Sequence, residues 1–262
     1  MTVSTALVHN SIKEKLARDQ PVYSMTVRLV RTVEIAAIAH TAGFDSIYID
    51  LEHSGFSLDA VGQVCMACLG LGIAPLVRIP GADPQLASRV LEVGALGIIV
   101  PHLSSAADAK AIVRAAKYPP VGERSLAGMV PQLRYQAVPA ALANEQLNDA
   151  TMVIAMIESP EGVAAADDIA AVPGVDILFV GTNDLSSSLG VPGQLDHELV
   201  KDCYAKVMTA CRSHGKVLGV GGLASRPDLI KKYVAMGARY VSTGTDLSFL
   251  LGAATQKRRE VA

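Results

Sequence analysis

The chain has 262 residues, half of them apolar and 18% charged, and its 23 Lys and Arg are set against 25 Asp and Glu for a formal net charge of −2. Such a chain can bury a sizeable core in one large α/β domain, and its near-neutral balance argues against a nucleic-acid or anionic-membrane surface. Residues 1–15 hold no unbroken apolar core before a small-residue cleavage site, and no run nears the roughly 18 apolar residues of a membrane span, so the expectation is a soluble, cytoplasmic protein.

Eight short apolar or β-branched runs recur along the chain, at 23–27, 45–50, 73–78, 97–100, 151–158, 176–181, 216–220 and 239–243, each followed by a stretch of helical period. Runs that are apolar throughout, rather than alternating, predict parallel strands covered on both faces. Eight strand-then-helix units in about 250 residues predict a single (β/α)8 TIM barrel over residues 1–262. Ser57, Ser105 and Pro160 stand where helices start, and Gly72, Gly94, Gly215 and Gly237 where they stop. The stretch 118–150, with four prolines, is the one long irregular connection, and loops of that length are usually functional or make contacts. Cys65 and Cys68 form a C-x-x-C, but both lie in the helical stretch 58–71, and Cys203 and Cys211 lie in another. They read as buried small hydrophobes rather than a redox or zinc pair.

Barrel chemistry is built at the C-terminal ends of the strands. There the apolar runs end in Asp50-Leu-Glu-His53, Arg78, Glu158 and Gly181-Thr-Asn-Asp184. Glu158 closes an apolar run in which an ionised carboxylate needs a cation or donors. With Asp184 from the next strand end it makes the oxygen-rich, partly open shell that Mg²⁺ or Mn²⁺ prefers. The alternatives are a helix cap for Asp184 and a salt bridge for Glu158. His53 suits general acid–base work beside a bound substrate, or is a surface histidine bonded to an acid. Arg78 must find anions, either a substrate or Asp50 and Glu52. The turn from Gly181 through Thr182, Asn183 and Asp184 into a helix offers free N–H groups to a carboxylate or phosphate. Gly219-Val-Gly-Gly222 and Thr243-Gly-Thr245 follow strands seven and eight, where many barrels bind phosphate, and His102 ends strand four.

Ile49-Asp-Leu-Glu-His-Ser54, Pro75-Leu-Val-Arg78, Val93-Gly-Ala-Leu-Gly-Ile-Ile-Val-Pro101, Tyr118-Pro-Pro-Val-Gly-Glu-Arg-Ser125, Met156-Ile-Glu158 and Gly181-Thr-Asn-Asp-Leu-Ser186 together resemble the HpcH/HpaI aldolases. Within that family Asn183, Leu189-Gly-Val-Pro-Gly-Gln194 and His214-Gly-Lys-Val217 are most similar to the macrophomate synthase-like members. The resemblance implies a barrel of the phosphoenolpyruvate/pyruvate type and a metal-dependent class II aldolase. Such an enzyme reversibly cleaves a 4-hydroxy-2-oxo acid to pyruvate and an aldehyde through a metal-bound pyruvate enolate, with oxaloacetate decarboxylation as a side activity. It implies Glu158 and Asp184 as ligands of Mg²⁺, Mn²⁺ or Co²⁺, Arg78 on the pyruvate oxygen, Thr182, Asn183 and Asp184 along the substrate, and His53 as acid and base. Glu92 stands where the family has an aspartate that a neighbouring subunit lends to the histidine, and Met156 where many members have glutamine. An exchanged C-terminal helix and a hexamer are implied as well. The strongly apolar stretch 246–256 fits, because a last barrel helix needs only one apolar face. Two rival readings are a phosphate-binding isomerase or synthase, and a non-catalytic barrel that binds a 2-oxo acid.

Overall fold

The computed structural model describes residues 7–262, and among them eight parallel strands close into one barrel in the order β1 to β8. The strands are β1 Val22–Val27, β2 Ser46–Asp50, β3 Ala74–Arg78, β4 Gly97–Val100, β5 Met152–Ile157, β6 Ile177–Gly181, β7 Val217–Gly221 and β8 Tyr240–Thr245. Around them run α1 Ser11–Ala17, α2 Glu34–Thr41, α3 Leu58–Leu71, α4 Pro84–Glu92, α5 Ala106–Ala116 and α6 Ala140–Ala150. The remaining helices are α7 Pro160–Ala164, α8 Ala166–Ala170, α9 Thr182–Ser188, α10 Glu198–Ser213, α11 Pro227–Met236 and α12 Asp246–Glu260. The barrel expectation holds, with each apolar run within two residues of its strand. The expectation about a leader falls partly on residues 1–6, which lie outside the described residues. Among the described residues no helix is long and apolar enough to cross a membrane.

Side chains alternate along a strand, and the two hydrophobic clusters divide by that alternation. Ile47, Ile49, Val77, Ile98, Val100, Val153, Ala155, Leu178, Val180, Val220 and Val241 face the helices. Tyr48, Leu76, Ile99, Ile154, Met156, Ile177, Phe179 and Tyr240 fill the barrel. Phe179 sits at its centre, with the rings of Tyr48 and Tyr240 edge-on at 6.4 and 5.4 Å. A Cβ at Gly219 or Gly221 would come within 2.8 or 2.4 Å of the Phe179 ring. These two glycines of β7 therefore make room for a core ring, which corrects their reading as part of a phosphate loop.

The predicted helix signals recur as caps. Ser57 and Ser105 accept the backbone N–H of Ala60 and Asp108, Pro160 opens α7, and Gly72 ends α3 in the left-handed region at φ 74°. The four cysteines are free and buried, and burial pushes the Cys68 thiol up to about 12. The long connection 117–139, with α6 and α1, closes the N-terminal end of the barrel, far from the strand ends that carry the acids. Ile12, Leu133 and Leu147 are buried with the barrel interior. Asn10 caps α1 and donates to the Ala150 carbonyl at 2.7 Å. Buried Lys117 donates its Nζ to the carbonyls of Asn148 and Thr151.

Candidate active site

The inward alternation decides which polar groups reach the C-terminal mouth. Asp50, Arg78, Glu158 and Gly181 each stand two residues beyond an inward core residue, namely Tyr48, Leu76, Met156 and Phe179. A cavity of about 480 Å³ opens there, lined among others by Arg28, Asp50, His53, Arg78, Asn183 and Asp184.

Arg78 is buried and answers both of its expected anions. Its Nε and Nη2 donate to the two oxygens of Asp50 at 2.9 and 2.6 Å, and its Nη1 lies 2.8 Å from Glu52. Burial alone would lower the Arg78 pKa, but the Asp50 bond and the surrounding negative charge raise it. Burial likewise opposes ionisation of Asp50, yet the Arg78 bonds and charge and the His53 backbone N–H hold its carboxyl below the usual range. That same N–H, with the N–H of Glu52, folds the 51–54 turn onto Asp50. The His53 ring is thereby carried to the mouth, half-exposed, with Nε2 3.7 Å from Glu52.

Glu158 is 3% exposed and its Oε1 has no hydrogen-bond partner among the described residues. Its Oε2 accepts the backbone N–H of His102 at 3.0 Å and lies 3.2 Å from the His102 Nδ1. His102 holds a left-handed backbone at φ 56°, and its Nε2 meets Glu52 at 2.8 Å. One chain of contacts thus runs Glu158, His102, Glu52, Arg78, Asp50. Burial, with lesser repulsion from Asp184 and Glu52, outweighs the His102 contacts and pushes the Glu158 carboxyl up to about 7. A buried carboxylate with an orphaned oxygen beside a second, exposed carboxylate is short of a cation. Among the described residues no cluster of three His, Cys, Asp or Glu could hold a metal. The Glu158 and Asp184 pair therefore fits only a hard cation that draws its other oxygens from substrate and water.

The remaining expected residues are placed as follows. Asn183 and Asp184 are exposed on the first turn of α9 and line the cavity. The Thr182 side chain does not reach it: its hydroxyl is buried, donates to the Gly221 carbonyl at 2.6 Å and meets the Tyr204 hydroxyl at 2.7 Å. Glu92 ends α4, which runs back from the mouth, so within one chain it lies at the far end of the barrel. There it accepts from Arg124 at 2.7 Å, and it does not meet its own His53. Met156 puts a thioether in the cavity wall. Arg28 also lines the cavity and was not among the expected residues. Its one signal is its place two residues beyond Thr26, which faces inward on β1.

A closed parallel barrel with acids, a histidine and guanidinium groups at its C-terminal mouth defines a barrel enzyme acting on a small anionic substrate. Residues 29–253 match the HpcH/HpaI aldolase/citrate lyase family, and the chain belongs to that family. It is a carbon–carbon lyase. It is 35% identical over 97% of its length, and 95% of the relative's, to a 4-hydroxy-4-methyl-2-oxoglutarate aldolase of Chaetomium globosum. It is 34% identical to a hydroxypyruvate/pyruvate aldolase of Delftia acidovorans, over 94% of this chain and 90% of that one. The crystal structure of an HpcH/HpaI aldolase from Desulfitobacterium hafniense superposes with a TM-score of 0.87, at 31% identity and 95% coverage of both chains.

Proposed function

We propose that the chain, as one barrel domain in the cytoplasm, reversibly cleaves a 4-hydroxy-2-oxo acid to pyruvate and an aldehyde, and decarboxylates oxaloacetate at the same site. The observation that carries this reading is the buried, half-unpartnered Glu158 carboxylate near Asp184, at the same barrel mouth as Arg78 and His53. Glu158 and Asp184 would hold Mg²⁺, Mn²⁺ or Co²⁺, and such an ion, when bound, withdraws charge from a 2-oxo acid and eases formation of its enolate.

The rest falls to side chains. Arg78, pinned by Asp50 and Glu52, presents fixed positive charge where the enolate oxygen develops. Asn183 and the first turn of α9 offer donors to the substrate carboxylate. His53 takes the proton of the 4-hydroxyl in cleavage and returns one to the aldehyde oxygen in condensation. Thr182 contributes by fixing the start of α9 against β7 and α10.

The apolar residues Leu247, Leu250 and Leu251 of α12 are about half exposed or more, an unusual cost for a helix end in water. We infer that a second copy covers them in a homo-oligomer, a hexamer, and that a neighbour's Glu92 reaches His53. Pyruvate release from a panel of 4-hydroxy-2-oxo acids, with and without divalent metal, tests the reaction. Metal-dependent release supports it, and no release from any member of the panel overturns it.

A further inference from the structure

We propose that Arg28 reads a second carboxylate on the substrate, so that the preferred substrates are 4-hydroxy-2-oxo dicarboxylic acids. This rests on the aldolase reading and adds the substrate class to it. The cavity holds two guanidinium groups of different standing. Arg78 has all three of its nitrogens engaged by Asp50 and Glu52 and is buried. Arg28 has its side chain 36% exposed; its Nη2 donates to the His53 carbonyl at 3.1 Å and its Nε lies 3.4 Å from Asp50. Its Nη1 has no partner among the described residues.

The free edge of Arg28 is nonetheless held in place. The buried Asp246 carboxylate accepts the backbone N–H groups of Arg28, Leu29 and Val30 at 2.9, 3.0 and 2.8 Å, so the stem of the side chain is anchored before any ligand arrives. A half-paired guanidinium with an anchored backbone suits bidentate capture of a carboxylate. On the aldolase reading Asn183 and the first turn of α9 take pyruvate's own carboxylate, whereas Arg28 is bonded to the His53 carbonyl, next to the residue assigned to the 4-hydroxyl. Ser225, Ser242 and Ser248 also line the cavity, together with Tyr48, Met156 and Ala224, but Ser242 and Ser248 are bonded within the chain to Thr26 and Thr245, so the positive charge for a second carboxylate falls to Arg28.

The test compares a dicarboxylic substrate, 4-hydroxy-2-oxoglutarate, with 4-hydroxy-2-oxopentanoate, which lacks the second charge. The ratio of their kcat/KM values is followed from the native enzyme to Arg28→Gln and Arg28→Lys. Any shared loss through the His53 carbonyl cancels in that ratio. The ratio should fall about ten- to a hundredfold in Arg28→Gln, the range for a lost charged hydrogen bond, and by less in Arg28→Lys. Binding of 2-oxoglutarate relative to 2-oxobutyrate, read by calorimetry, should move in parallel without any turnover. A native enzyme active on both substrates whose ratio is unchanged by Arg28→Gln overturns the role of Arg28. A native enzyme that cleaves neither overturns the aldolase reading instead.

Discussion

A Cβ on residue 181 would stand 2.5 Å from the Glu158 Oε1. Gly181 and Glu158 are thus a fitted pair: β6 ends in a residue without a side chain so that the carboxylate just after β5 can occupy the mouth. Gly181→Ala is expected to turn Glu158 aside while leaving the barrel folded. Metal affinity should drop about ten- to a hundredfold, as for other residues that orient a ligand. Calorimetric titration with Mn²⁺ checks this, and native affinity in the variant would show that Glu158 is not a ligand.

The two carboxylates and the histidine should separate by reaction. Glu158→Gln and Asp184→Asn should lose metal, aldol cleavage and oxaloacetate decarboxylation together. His53→Ala should harm cleavage more than decarboxylation, which removes no hydroxyl proton, by about tenfold to a thousandfold. Steady-state kinetics on the two substrates decide it. Equal losses would take His53 out of the acid–base role.

The barrel was readable because its strands are apolar on both faces, so each left an unbroken run in the sequence and ended visibly where a polar residue met the mouth. Asp50, Arg78, Glu158 and Asp184 were found by that rule. Arg28 escaped it because β1 carries Ser24 and Thr26 inside the barrel and reads as a weak strand. Thr182 was misjudged because the partner that takes up its hydroxyl, Tyr204, lies on α10, a tertiary contact with no local signature. The glycines of β7 looked like an anion loop, since nothing in sequence shows that Phe179 needs their space. The connection 118–150 closes the N-terminal end of the barrel, a role that depends on packing rather than on any motif.

Lys117 supplies a pH test of that closure. Burial is the main reason its ammonium is pushed down to about 8 from an ordinary 10.5, with Lys13 adding to the shift and Asp176 and Asp149 opposing it. The folded state therefore binds fewer protons than the unfolded chain between these values, and stability should rise with pH across that interval. Relative to Lys117→Met, the native protein should gain up to about 3 kcal/mol between pH 8 and 10.5 and show no trend below it. Thiol and phenol titrations are common to both proteins and cancel. Urea unfolding at a series of pH values measures the difference, and parallel curves would contradict it.

Assembly should be visible in solution. Light scattering is expected to give the mass of a hexamer, and ending the chain at Gly244 should break the assembly. His53→Ala and Glu92→Ala, each impaired in aldol cleavage alone, should recover part of the native cleavage activity when unfolded and refolded together, because some mixed interfaces pair an intact His53 with an intact Glu92. No recovery on mixing would place Glu92 outside the site.

The central claim is that an ion held by Glu158 and Asp184, and not a lysine, carries the enolate chemistry. Lys216 stands just before β7, at the far end of the barrel, where it donates to the Val175 carbonyl. The most direct measurement follows pyruvate release from 4-hydroxy-2-oxoglutarate by enzyme stripped with a strong chelator, before and after Mg²⁺, Mn²⁺ or Co²⁺ is returned, with a parallel sample treated with borohydride and pyruvate. The account predicts loss of turnover on stripping, recovery with metal and no mass added by borohydride. Full activity without metal, or a pyruvyl adduct trapped on a lysine, would contradict it.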